Sequence, residues 1–314
     1  MLAHLKPLAR PISLALTLVA LTPLGAPAAD TSAQTKFARP EDAMRALVAA
    51  VRADDRAKLA TILGPDSEDL LSSGDPIDDK ATARRFAERA AERTTFETLE
   101  SGAVIAHIGS DAWPFAIPLT KDGDQWRFDT AAGHDELLNR RIGRNELKAV
   151  AVAHAYVDAQ YEYATRPRNG DGKRAYAQKV RSDPGRKDGL YWEDTTGKQP
   201  SPFGPLVADA AEEGYAPQEE GAAPRPYHGY FYRILTAQGS HAAGGARNYV
   251  KDGRMTGGFA LIAVPAEYGA SGIMSFLVGP PGIVYQKNLG EKSAEIAAKI
   301  TTYDPDESWT PIRD

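Results

Sequence analysis

The chain of 314 residues contains no cysteine. That absence excludes disulfide frameworks, cysteine-ligated zinc, iron–sulfur clusters and thiol nucleophiles. Basic charge is not in excess either. Lys and Arg number 37 against 42 Asp and Glu, a net charge of −5, so no cationic face is offered to nucleic acid. Beyond the first thirty residues no apolar run approaches the roughly 18 residues that a membrane-spanning helix needs. The six histidines (His4, His107, His134, His154, His228 and His241) form no H-E-x-x-H and no close pair, so no metal site is expected. NGDGK at 169–173 and TTGKQ at 195–199 lack the leading glycine or the Ser/Thr of a phosphate-binding loop, and no cofactor is expected. NGDG and the later DPDE at 304–307 carry oxygen ligands without the spacing of a calcium loop, and turn chemistry explains both. GASGI at 269–273 misses the G-x-S-x-G nucleophile elbow by one residue and reads as a glycine turn.

What is present is ordinary for a folded chain: 42% hydrophobic and 25% charged residues, with length for about two domains. Residues 1–29 have the three parts of a secretory signal: Lys6 and Arg10, an apolar run over 12–21, and small residues at Ala26, Ala28 and Ala29. Removal after Ala28 or Ala29 discards two basic residues and no acid, which moves the net charge to −7. The pattern predicts export to a Gram-negative periplasm, with no transmembrane segment once the signal is gone. Without disulfides, an exported chain must be held by its packed core.

Pro40 opens a helix with Ala43, Leu47, Ala50 and Val51 at helical spacing, and a second helix over 56–63 stops at Gly64-Pro65. SSGDP at 72–76 is turn chemistry, after which Asp78 is expected to cap a charged helix reaching Glu92. Three strand-like runs follow, FETLESGAVIAHIG, AWPFAIPLT and DQWRFDTA. The last two are joined by Lys121-Asp122-Gly123-Asp124, a hairpin signal. Helices followed by an antiparallel meander ending in W-R-F-D resemble the cone-shaped α+β fold of the SnoaL and nuclear-transport-factor-like superfamily over residues 37–131. In that superfamily a curved sheet wraps a pocket that binds a ligand and sometimes carries an acid–base pair. Trp113, Phe115, Trp126, Phe128 and His107 are the residues on these strands that would line it or fill it as core.

Residues 134–167 read as one long helix with an apolar stripe of Leu137, Leu138, Ile142, Leu147, Val150, Ala151, Ala155 and Val157, a possible bend at Gly143, and a stop at Pro167. Arg140, Arg141 and Arg144 can pair along it with Glu136 and Glu146, or can reach a neighbouring domain or partner through bidentate contacts. From 169 to 223 glycine, proline and charge dominate. Leu190, Tyr191, Trp192, Phe203 and Leu206 argue that this connection is ordered, with a short helix over 207–213. Four strand-length runs follow, YHGYFYRILTAQG, GGFALIAVPAEYG, IMSFLVG and GIVYQKNLG, then an extended tail ending at Trp309.

Two further resemblances rest on these segments. SSGDP (72–76), WPF (113–115), RFDTAAG (127–133), NRRIGRNEL (139–147), AYVDAQYEYA (155–164), DGLYW (188–192), PSPFGPL (200–206), YHGYFYRILTAQG (227–239) and GGFALIAVPAEYGASG (257–272) together resemble a family of bacterial exported proteins known as domain-of-unknown-function family 2950. That likeness imports no activity. AYVDAQYEYATR, then GLYW, then GYFYRILTA, then FALIAVPAEYGASGIMSFLVGPPGIVY is similar to the globular part of type IV pilins and pseudopilins, where a helix packs on a small antiparallel sheet. The chain departs from pilins in having that helix internal and no prepilin cleavage site before a long apolar helix.

The reading is an α+β protein. A signal over 1–29 precedes a cone-like domain over 37–133, and a long linking helix with a pilin-like domain fills 134–314. The expected role is a non-catalytic binding or envelope-assembly factor with an envelope protein as partner. The alternative is a small-ligand-binding protein or enzyme using a pocket in the cone-like domain. The candidate binding residues are Trp113, Trp126, His107, His228, Tyr230 and Arg233. An open pocket with converging ionisable groups would favour the alternative, and a free sheet edge on the C-terminal module would favour the first.

Overall fold

In the computed structural model, residues 34–64, 67–168, 172–194, 196–215 and 223–313 are described. The signal-like segment lies outside them, as do Asn169, Gly170, Asp171, Thr195 and 216–222 of the glycine-rich connection. All described residues belong to one compact unit, Ser32–Asp314, which contains two hydrophobic cores.

Among the described residues four helices come first: α1 (Pro40–Arg52), α2 (Arg56–Leu63), α3 (Glu68–Leu71) and α4 (Pro76–Glu92). In α1 the apolar positions Ala43, Met44, Leu47 and Ala50 are buried, so its spacing sets the face that packs. Helix α4 starts earlier than the sequence suggests. Asp75, not Asp78, caps it, because Pro76 has no N–H to satisfy and is pre-set for the first helical position. Asp78 is instead buried inside the helix.

A small antiparallel sheet follows: β1 (Thr94–Thr98), β2 (Val104–Ile108), β3 (Trp113–Pro114), β4 (Leu119–Asp122) and β5 (Gln125–Phe128), ordered β1-β2-β4-β5 with β3 on β2. The three expected runs are thus five short strands: Gly102 takes positive φ between β1 and β2, and residues 115–118 separate β3 from β4. The Lys121–Asp124 hairpin is present, with Asp122 opposite Gln125. Val104, Ala106, Ile108, Leu119 and Phe128 join residues of α1, α2 and α4 in the first core.

Helix α5 (Thr130–Ala164) has 35 residues, about 52 Å at ~1.5 Å per residue. It begins four residues before the expected start because the Asp129 carboxylate accepts the Ala132 N–H, and it passes Gly143 unbroken. Its buried stripe runs Ile142, Asn145, Ala149, Val152, Ala153, Tyr156, Gln160, Tyr163. The stripe is rotated from the expected one, and Leu147 is 74% exposed. Two polar residues hold core-facing positions because each finds a partner. Asn145 donates to Ser271 O at 3.0 Å, and Gln160 donates to Ala177 O at 2.8 Å while accepting the Ala177 N–H at 2.9 Å.

Beyond α5, Leu190, Trp192 and Phe203 are buried in the second core, which orders the irregular connection around α6 (Gly204–Glu212). The second sheet contains β6 (Tyr230–Leu235), β11 (Ala260–Pro265), β12 (Met274–Val278), β13 (Val284–Asn288) and β14 (Thr310–Pro311), in the order β14-β13-β12-β11-β6, all antiparallel. Between β6 and β11 lie two ribbons: β7 (Ala237–Gln238) with β8 (Arg247–Asn248), and β9 (Val250–Lys251) with β10 (Arg254–Met255). All six residues of β11 are buried, because both α5 and α7 (Ser293–Lys299) pack on it. Helix α7 lies in the tail expected to be extended. Its seven residues, three of them alanine, give little periodic signal. Among the described residues no helix is long and apolar enough to cross a membrane.

Two glycines on α5 give opposite expectations. A Cβ on Gly133 would meet Ala116 O at 2.5 Å and Ile117 Cα at 2.6 Å, whereas one on Gly143 would meet nothing within 4 Å. Gly133→Ala should cost at least about 2 kcal/mol by overpacking against backbone. Gly143→Ala should gain about 0.5–1 kcal/mol, as Ala does over Gly in a helix interior. Urea unfolding of the two variants measures both.

Candidate functional site

The most polar part of the interior lies where the two cores meet. Asp75 is 1% exposed. One carboxylate oxygen accepts the Ile77 and Asp78 N–H groups at 3.2 and 3.3 Å, capping α4. The other accepts the Tyr215 hydroxyl at 2.8 Å and the Gly229 N–H at 2.9 Å, from beyond α6 and from the turn before β6. Tyr215 Oη in turn accepts the His228 N–H at 3.1 Å. Gly229 has φ +73°, and a Cβ there would meet Asn145 Nδ2 at 2.6 Å, so a bare backbone is required on both counts.

Helix α5 supplies the other wall. Arg141 donates to Asp69 O at 2.8 Å and to Leu70 O, and Arg144 lies 3.6 Å from Asp78. Glu146 accepts the Ile273 and Met274 N–H groups at 3.0 and 2.9 Å. Only Arg140 forms the within-helix pair that the sequence suggested, with Glu136 at 2.7 Å. The rest of this charged stretch ties α5 to the N-terminal helices on one side and the β11–β12 loop on the other.

His228 is 5% exposed and sits in the left-handed region at φ +50°, in a turn rather than on a strand. Its Nε2 lies 3.0 Å from Glu213 Oε2 without an aligned hydrogen bond, and Lys148 approaches the other oxygen of Glu213 at 3.2 Å. Tyr227 and Tyr215 flank the imidazole, with ring centroids 4.1 and 5.7 Å away. Burial holds the His228 pKa below its ordinary value, with Glu213 pulling the other way. Burial likewise raises Tyr215, Tyr227 and Tyr232, so these phenols stay protonated at neutral pH. Five buried side-chain polar atoms have no hydrogen-bond partner among the described residues, and three of them, Arg144 Nε, Glu213 Oε2 and Tyr232 Oη, belong to side chains of this junction. The arrangement positions two bodies of protein against each other. Asp75 already accepts four hydrogen bonds, which leaves it poorly placed to take a proton from a substrate.

The other candidate residues are dispersed. Tyr230 is fully buried in the second core and donates to Met274 O at 2.9 Å. Arg233 points to the opposite face of the sheet, where it donates to Ala297 O and Ile300 O at 2.6 and 2.7 Å and caps the end of α7. His107 bridges Glu97 at 2.9 Å and Ala112 O at 3.0 Å. Trp113 is 49% exposed, with the Arg140 guanidinium 5.1 Å from its ring. Trp126 packs on the first core, across the sheet from His107. Phe128 is core and Phe115 packs against it with centroids 6.2 Å apart. None of Trp113, Trp126 and His107 lines the open groove of about 660 Å³ on that sheet's outer face. Leu99, Ile105 and Pro118 line it, with Thr120, Lys121 and Asp129 as polar neighbours.

The second sheet has a more specific feature. Tyr230 exchanges both backbone hydrogen bonds with Tyr227, at 2.8 and 3.2 Å, which places its N–H and C=O on the side of β6 away from β11. Alternation then puts the main-chain groups of Tyr232 and Ile234 on that same outer side. The next outward carbonyl, Thr236 O, accepts the Tyr249 N–H at 2.8 Å. Between these two internal caps, Tyr232 and Ile234 have no outer partner among the described residues. Phe231 beside them is 37% exposed.

Against known proteins, a family model described as Protein of unknown function (DUF2950) matches residues 34–312. The chain belongs to the DUF2950 family. No curated protein and no solved structure matches it. The likenesses to the SnoaL and nuclear-transport-factor-like superfamily and to pilins gain no support from these comparisons. What the structure adds to the family segments is their meeting place. SSGDP supplies Asp75, NRRIGRNEL supplies Arg141, Arg144, Asn145 and Glu146, YHGYFYRILTAQG supplies His228 and Gly229, and GGFALIAVPAEYGASG supplies Ser271. Asp75, Asn145, Glu213 and Tyr215 were not among the sequence candidates. Asn145 alone had a local signal, a polar residue within an apolar helical stripe.

Asp75→Ala should destabilise the protein by roughly 2–4 kcal/mol, combining a lost helix cap with two buried donors left unpaired. A fall in urea midpoint at unchanged slope measures it. A loss under about 1 kcal/mol would contradict the role given to this carboxylate.

Proposed function

We propose that this DUF2950 chain is an exported, non-catalytic binding protein that receives a short extended segment of an envelope protein along the outer side of β6. The observation that carries the reading is that, among the described residues, Tyr232 and Ile234 have no outer main-chain partner between the caps from Tyr227 and Tyr249. Sheet edges are normally blunted against association, and here blunting stops just short of closing the edge. Main-chain hydrogen bonds supply affinity in such strand addition, and neighbouring side chains such as Phe231 supply selectivity. The supports for export are Lys6 and Arg10, the apolar run over 12–21 and the small residues at Ala26, Ala28 and Ala29. The mature chain is expected to begin at Ala29 or Asp30 and to be released with the periplasmic fraction. An intact Met1 on a membrane-bound chain would refute this.

Proline offers a selective test of strand addition. The Ile234 N–H faces outward, so Ile234→Pro removes a donor from the open edge and leaves the β6–β11 ladder intact. Capture of a partner by a photo-cross-linker at position 231 should be lost in this variant while the melting temperature moves by only a few degrees. Unchanged capture would overturn the reading. Arg233→Pro, which deletes an inward ladder bond, should instead unfold the sheet.

A second reading has the outer-face groove in its favour: an apolar floor beside Lys121 and Asp129, with the Thr120 hydroxyl lacking a partner among the described residues. Such a groove suits a small amphipathic molecule. Ile105→Arg would fill it. Binding of anilinonaphthalene sulfonate to the native chain that this substitution removes would support the second reading, and no binding would end it.

A further inference from the structure

The junction contains one histidine, His228, enclosed by groups of several elements. His228 sits in the left-handed region and is held by the Tyr215 hydroxyl on its N–H and by a tilted ring contact to Tyr227 and an edge-on one to Tyr215. Facing it are Glu213 and Tyr215 from the end of α6 onward, Asp75 and Asp78 from α4, and Lys148 from α5. Glu213 is the nearest anion, but Lys148 at 3.2 Å already offsets it, and Asp78 is shared between Arg144 at 3.6 Å and Arg85 at 3.9 Å. A proton arriving on His228 therefore adds a positive charge to a buried, phenol-walled space whose carboxylates are already engaged, Glu213 by Lys148, Asp78 by two arginines and Asp75 by four hydrogen bonds, so they offset its desolvation only in part.

We propose that His228 is an acid-released latch: proton uptake frees Tyr215 and the 227–229 turn from Asp75, and so loosens the contact between the two cores. The sign follows from linkage. Because burial lowers the His228 pKa in the closed form, the closed form is fully favoured above the unperturbed value near 6.5 and loses that advantage as pH falls toward the lowered one. His134, beside Asp135 and Asp69, and His241, beside Asp304, have raised values and act with the opposite sign, favouring the fold in acid. Acid opening of the junction is thus distinguishable from general acid loss of stability. There is also a consequence for β6, which rests on the strand-edge reading above. The 227–229 turn carries the cap on Tyr230, so opening would lengthen the free edge by one outward residue.

Hydrogen exchange of the Gly229 and Ala266 amides in the full mature chain, without any partner, tests the latch independently of strand addition. Gly229 N–H is bonded to Asp75, and Ala266 N–H to Gly229 O at 2.8 Å. After correction for intrinsic exchange, opening in the wild type should rise by up to about tenfold per pH unit below 6.5, the limit for one proton. In His228→Asn, which tolerates the left-handed backbone and cannot protonate, the same amides should be flat with pH. Glu213→Gln, which removes the carboxylate that eases protonation, should extend the rise to lower pH. A flat wild type, or identical pH dependence in His228→Asn and wild type, would overturn the proposal. Should His228→Asn fail to fold, a Glu213→Gln profile identical to wild type would overturn it as well. Loss of edge capture in Ile234→Pro with the acid response intact would leave both readings standing. Retained capture with an intact response would remove only strand addition.

Discussion

The carboxylate of Asp75 is the constraint on which the arrangement of the two cores depends. A helix N-terminus presents amides that need an acceptor, and any Asp, Ser or Thr can serve at the surface. Here the acceptor is buried, and its second oxygen is turned outward from α4 to meet Tyr215 and Gly229, residues that belong to the far half of the chain. One side chain thereby completes a local element and a contact that spans 154 residues of sequence. Because a buried carboxylate is costly unless its bonding is complete, losing either set of bonds is penalised, and the contact gains geometric definition that apolar packing would not supply.

Helix α5 makes this possible by being one rigid element shared by both cores. Its first turns lie against α3 and the 114–117 segment leading from β3 to β4, its last turns carry Tyr156, Gln160 and Tyr163 into the second core, and between them Arg141, Arg144, Asn145 and Glu146 reach to both sides. The length of α5 and the polarity of its middle thus have a single cause. A helix crossing from one core to the other must pass through the region where neither covers it completely, and charged or amide side chains with backbone partners occupy that passage.

Much of the fold was legible from local pattern, because in α1, β11 and the Lys121–Asp124 hairpin the propensity, the periodicity and the turn chemistry agree with the packed outcome. Legibility failed where a distant partner decides. Asn145 and Gln160 interrupt the apolar stripe of α5, so periodicity selected Leu147 as core, although partners at Ser271 and Ala177 make the polar positions the buried ones. Helix α7 is too short and too rich in alanine to signal itself, and it forms because β11 needs cover on its second face. The junction was hardest to read: a turn motif at 72–76, an arginine cluster and a Tyr-His-Gly-Tyr segment each have a bland local explanation, and only the three-dimensional structure brings them onto one carboxylate. The His228 turn stood out in the sequence, but for its aromatic neighbours rather than for Asp75 and Glu213, which give it its chemistry.

The same turn has two jobs that are mechanically inseparable. Its amides close the junction through Asp75, and Tyr227 caps the first outward residue of β6. A protein that only needed to protect its sheet edge could cover it with a longer strand, a charge or a bulge. Using a turn that also seals the contact between two cores makes the extent of exposed edge a function of how firmly those cores are joined. An influence that weakens the Asp75 contact, whether a proton, a neighbouring charge or a bound molecule, acts immediately beside β6, because Gly229, which holds Asp75, directly precedes Tyr230.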